Sequence, residues 1–185
     1  MLLNGWQKIT RTEGNNGPAF GTQITFNPGK NFTINSSSYI GTEQPDTARQ
    51  WRYFHDLYTI WQLSDAWGIT FGFDVGVQQS AKHSRVFNAW YTPVVIARYQ
   101  RNKWAVAGRV EYYEDKKGVV IPMLNSKFFR VVGASVNVDR TVFKDVLWRI
   151  EGRWLNSVPA YFIDGPAVRP NHFAVTTSLA VSLKK

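Results

Sequence analysis

In VLWRIEGRW, residues 146–154, ionisable side chains recur at every second position: Arg149, Glu151 and Arg153. On an extended chain, residues spaced by two project to one side. Such a row allows ion pairing along a wall, or a constriction favouring anions or zwitterions. The alternate set, Val146, Trp148, Ile150, Gly152 and Trp154, is apolar. Little else in the chain suggests chemistry. His55, His83 and His172 lie in separate segments without the spacing of metal ligands. No GxSxG, Walker loop or GxGxxG is present. Ser178 and His172 fall on one side of a strand, but six residues separate them by about 20 Å, too far for a nucleophile and its base. No catalytic, cofactor-binding or metal-binding residue is assigned, no cofactor is expected, and the chain does not read as an enzyme.

The elements that position such a row must be strands. The chain has 185 residues and is read as one domain over 1–185. Only 19 % of residues are charged while 44 % are hydrophobic, which argues against wholesale disorder. No apolar run reaches the length of a spanning helix, and a mean hydropathy of −0.28 is compatible with spanning strands. There is no cysteine, so disulfides and thiolate metal sites are excluded. The net charge of +9 comes from residues spread over strands and loops, without a basic helix or long basic run, so nucleic acid is not an expected partner. The start, MLLNGWQKIT, lacks the pattern of a signal peptide.

Ten alternating segments are predicted at 2–10, 18–27, 31–42, 50–62, 68–79, 88–100, 103–114, 128–138, 146–157 and 171–183. Most exceed the usual length of soluble strands and suit a tilted crossing of a bilayer. The first three alternate least clearly, because Asn4, Lys8 and Ser36-Ser37-Ser38 blur their faces. The connections alternate as well. RTEGNNGP, GTEQPDTAR, SAKHSRVF, EDKKGVVIPMLNSK and SVPAYFIDGPAVRP are long; PGK, LSDAWG, RN and DRTVFKD are shorter. Outer-membrane barrels sort loop length by rim in this way. The expected fold is all-β: an antiparallel up-and-down transmembrane barrel of about ten strands.

The polar faces of the segments hold small residues and a few ions, as a confined lumen would. The expected lumen charge network is Asp74, Arg98, Arg109, Glu111, Arg149, Glu151 and Arg153. With four arginines and three acids, its selectivity should be weak. Val131, Gly133, Ser135 and Asn137 should face inward between the residues of 103–114 and 146–157, with Gly133 and Ser135 small enough for long arginines to reach across. On the apolar faces, aromatics pair near opposite strand ends: Trp51 with Trp61, Tyr91 with Tyr99, Trp104 with Tyr112, and Trp148 with Trp154. Eight residues of tilted strand cover roughly 20 Å, close to the apolar band that aromatic girdles flank. In WRYFHDLYTIW, Arg52 and Asp56 are expected inward and His55 outward; Pro93 is expected outward, at a bulge.

The segments RQWRYFHDLY, GITFGFDVGVQQ, WYTPVVIARYQRNKWAVAGRVEYYEDKKGVV, VLWRIEGRWLNS and FAVTTSLAVSL resemble the OmpL-like family of outer-membrane β-barrel porins of diderm bacteria. The resemblance covers nearly the whole chain. It implies a porin-type barrel in the bacterial outer membrane, with outer-membrane lipid around it and its substrates undefined; the leading reading of the function is passive diffusion of small polar solutes. Members carry a signal peptide and further strands upstream and end on an aromatic residue, whereas this chain ends Leu183-Lys184-Lys185. The expectation is therefore that the sequence is the C-terminal portion of a larger barrel rather than a complete ten-stranded one. Two other readings stay open: a closed structural or adhesive barrel whose long loops bind a partner, and a soluble carbohydrate-binding β-domain. The oligomeric state and the solute are not specified by the residues.

Overall fold

A computed structural model of the chain describes residues 1–122 and 128–183. Its strands are β1 (Leu2–Leu3), β2 (Ala19–Gly29), β3 (Phe32–Thr42), β4 (Trp51–Gln62), β5 (Trp67–Gln79), β6 (Phe87–Arg101), β7 (Trp104–Asp115), β8 (Phe129–Phe143), β9 (Val146–Val158), β10 (Phe162–Asp164), β11 (Ala167–Arg169) and β12 (Asn171–Val181). One 3-10 turn, Asp46–Ala48, interrupts the β3–β4 connection. Ten strands form a single antiparallel sheet in the order β1-β2-β3-β4-β5-β6-β7-β8-β9-β12, and β10 and β11 make a small hairpin between β9 and β12. Each strand of the large sheet lies beside its neighbour in sequence, the up-and-down order expected. Among the described residues β1 and β12 do not pair, so the sheet is open.

Connection length sorts by end. The turns at 30–31, 63–66, 102–103 and 144–145 are short; the connections at 4–18, 43–50, 80–86, 116–128 and 159–170 are long. Residues 123–127, within the EDKKGVVIPMLNSK connection, lie outside the described residues, as do Lys184 and Lys185. Asn102 takes a left-handed φ of 54°, the conformation a tight hairpin turn demands. In the longest of the short turns, Ser64 Oγ accepts the backbone N–H groups of Ala66 and Trp67 at 3.3 and 3.1 Å, a local bond that fixes the reversal. Asp115 organises the other end. Fully buried, it accepts backbone N–H groups from Lys117, Val119, Val120 and Ile121.

Burial is inverted relative to a soluble domain. Val136 is 55 % exposed while its neighbour Ser135 is 8 % exposed. Among the described residues the buried apolar side chains are Ala19, Tyr39, Trp90, Ala105, Ala107 and Phe129. All of them share the face that carries the ions, by the register of the ladders. A flat sheet shields neither face. The polar side is therefore the inside of a curl, and the apolar side is its convex surface.

Three expectations need correction. The segment 2–10 is a strand only at Leu2–Leu3, because the chain then leaves the sheet edge and turns onto the polar face. The strand expected to end at 138 continues to Phe143, so DRTVFKD is mostly strand and its turn is residues 144–145. Pro93 faces outward but makes no bulge. The register between β6 and β7 is the same on both sides of it, Tyr91↔Glu114 and Val94↔Glu111, with the intervening pairs missing. Proline lacks the N–H needed there, and the ladder skips the position without slipping.

Candidate functional site

Strict alternation carries Arg109 and Glu111 of β7, Asp139 of β8, and Arg149, Glu151 and Arg153 of β9 to the polar face. Glu111 lies opposite Gly133, and Arg153 lies opposite Ser135. These small residues leave a channel along the wall. Through it Arg153 Nη2 donates to Glu111 Oε1, across the intervening strand β8. Arg109 donates to the other oxygen, Oε2, through Nη2 and through Nε at 2.9 Å. One carboxylate thus holds two guanidinium groups, leaving the triad with a net positive charge. Glu111 is largely shielded, with a side chain 12 % exposed, while the two arginines stay about two-fifths exposed. Both guanidinium groups thus keep part of their surface open on the concave side.

A second pair lies nearer the short-turn end. Arg149 donates to Asp139 through Nε and Nη2 at 2.6 and 2.7 Å, a bidentate geometry that fixes both side chains. Asn137 Nδ2 adds a third donor to Asp139 at 2.9 Å. Arg98, opposite Ala107, and Glu151, opposite Asn137, share this face. Asp139 was not anticipated, because its sequence neighbours look like a turn.

Asp74 departs from the expected network. It faces the polar side but stands directly opposite Asp56 in the β4–β5 ladder, away from the β7–β9 group. Two like charges therefore adjoin on one stretch of wall. Arg52 and Asp56 do point inward, and His55 points outward, where its Nδ1 meets Ser38 Oγ at 2.9 Å.

All eight aromatics expected to form the girdle lie on the convex face, in two rows. Toward the short turns, Trp61 meets Phe32 at 6.2 Å between ring centres and Trp67 meets Tyr99 at 4.9 Å. In the same row the Arg140 guanidinium lies over Trp104 at 5.1 Å, with Trp148 opposite Arg140 on β9. Toward the loops, Trp51, Tyr53 and Phe87 adjoin in series, Tyr91 meets Tyr112 at 5.9 Å, and Trp154 continues the row on β9. Charges on this face occur only near the ends: Glu114 opposite Arg130 at the loop end, Arg101 and Arg140 at the turn end. Between them the described strands present no Asp, Glu, Lys or Arg outward. An uncharged band bounded by amphipathic rings, with ions on the opposite face, is the pattern of a spanning barrel wall.

Residues 1–183 match the family described as "Putative beta-barrel porin-2, OmpL-like". The chain belongs to this family. No curated protein and no solved structure matches it. For an OmpL-like barrel the inverted burial is the expected state, since its apolar surface faces outward.

This OmpL-like chain also carries a cluster that single-strand parity does not reveal. Arg52, 8 % exposed, donates to Gln78 Oε1 through Nε and Nη2, and its guanidinium carbon lies 5.0 and 5.4 Å from the rings of Trp6 and Trp90. In the β3–β4 loop, the Asp46 carboxyl is held below the usual carboxylate range by the hydrogen bond from Arg49. It stays ionised and accepts Asn16 Nδ2 at 3.1 Å.

Proposed function

We propose that this chain forms the wall of a bacterial outer-membrane porin through which small polar solutes diffuse passively. The observation that carries the reading is the division of the sheet: an uncharged, aromatic-bounded convex face, and a concave face lined by arginines and carboxylates. The direction of the ion pairs favours an open lumen over a filled one. Glu111 joins Arg109 on its own strand and Arg153 two strands away, and Asp139 joins Arg149 on the adjacent strand. These bridges run along the wall and leave Arg109, Arg149 and Arg153 partly exposed on the concave side. A closed structural barrel would be expected to use such pairs across its lumen.

The wall is close to balanced in charge, which points to weak discrimination by sign. The triad of Arg109, Glu111 and Arg153 is locally positive, whereas Asp56 and Asp74 are locally negative. Purified protein reconstituted in a planar bilayer tests the proposal. Discrete conductance steps with ion selectivity near unity are expected. A correctly folded protein that gives none contradicts it and favours the structural or adhesive reading.

A further inference from the structure

Residues 4–18 join β1 to β2 at the loop end, but they do not project away from the sheet as a simple external loop would. Trp6 follows Leu3 by three positions. It packs on Phe54 of β4 at 5.3 Å and Trp90 of β6 at 5.7 Å between ring centres. Along the sheet, β6 lies five strand spacings from β1, roughly 24 Å. The segment therefore lies across the polar face rather than along the edge.

Local backbone geometry and the wall both accommodate it. Gly5 has φ 151° and Gln7 φ 56°, so positive-φ residues flank Trp6 on both sides; a side chain at position 5 would be strained. On the wall, Gly76 supplies the space for the Trp90 indole, since a Cβ at Gly76 would overlap that ring. Arg52 lies against both indoles, a cation–π arrangement in a shielded place.

The rest of the segment is tied to the β3 end and the loop after it. Trp6 N–H donates to Glu43 Oε1 at 2.9 Å, and Thr12 Oγ1 donates to the Glu43 carbonyl at 3.1 Å. Asn15, itself buried, donates through Nδ2 to the Thr42 carbonyl at 2.6 Å, and Asp46 N–H donates to the Gly14 carbonyl at 2.9 Å. Lys8 lies 3.5 Å from Glu43.

We infer that residues 5–16 form a strap across the loop-end mouth on the concave side, with Trp6 as its anchor, and that this strap sets the size of solute the pore admits. The inference rests on the porin reading above. Every anchor is near the loop end of its strand: Arg52 is second in β4, Gln78 is next to last in β5 and Trp90 is fourth in β6. The charged group of β7–β9 is held separately, so the strap sets admission by size and the arginines act further along the wall.

The test compares unit conductance of wild type and Trp6→Ala in planar bilayers, with neutral polyethylene glycols of graded size as probes. The strap predicts higher conductance for Trp6→Ala and entry of polymers that the wild type excludes. A silent wild type with a conducting variant also supports it. A conducting wild type with an unchanged or lower value for folded Trp6→Ala overturns it. Silence in both removes the porin reading and the strap with it. Should Trp6→Ala fail to fold, Lys8→Cys decides. The described chain has no other thiol, so a bulky charged thiosulfonate applied to an open channel must reduce its conductance, and no change overturns the strap.

Discussion

Arg153 of β9 reaches Glu111 of β7 over Gly133 of β8. The glycine is needed for that reach. A Cβ at position 133 would sit 2.7 Å from Glu111 Oε1 and 2.9 Å from Leu155 Cδ2. Gly133→Val is therefore expected to displace Glu111, separate the two arginines and cost about 1–3 kcal/mol, the usual range for overpacking. Urea unfolding from lipid vesicles measures the loss, and Gly133→Ala should fall between wild type and valine.

Ile150 and Arg149 are adjacent in sequence and opposite in face. Ile150→Arg puts a charge on the uncharged band and should cost about 2–4 kcal/mol near a bilayer midplane. Arg149→Ala removes a partner of Asp139 on the wet side, where water can replace part of the lost bond. The expected outcome is a large loss of folding yield into vesicles for Ile150→Arg and a smaller one for Arg149→Ala.

Asp56 and Asp74 face each other across the β4–β5 ladder. Like charges directly opposite destabilise a strand pair, with pair effects of roughly 0.2–1 kcal/mol. Asp74→Asn keeps the shape and removes the repulsion, so the unfolding free energy from urea titration should rise by that amount. Reversal potentials under a salt gradient should move toward anion preference in the same variant.

Much of this arrangement was legible because two-residue periodicity is unforgiving. A strand with Ile150 outward must have Arg149, Glu151 and Arg153 inward, and the small residues Gly133 and Ser135 then leave room between the flanking strands. What parity cannot supply is register. Asp56 and Asp74 each read as inward, but only the ladder sets them side by side. Asp139 was hidden for a related reason: DRTVFKD looks like a polar turn, yet Asp139 belongs to the lining and Arg140 to the aromatic row at the strand end. The strap was illegible because LLNGWQKIT alternates weakly enough to pass for a strand. Its real partners, Arg52, Phe54 and Trp90, are far away in sequence.

Which face of the sheet meets lipid is read most directly on β9. Because the described chain has no cysteine, single cysteines can be placed at 149, 150, 151, 153 and 154 and probed in proteoliposomes with a membrane-impermeant thiol reagent. Fast labelling is expected at 149, 151 and 153, and protection at 150 and 154. Labelling at 150 and 154 with protection at the charged positions, or equal labelling throughout, would contradict this orientation.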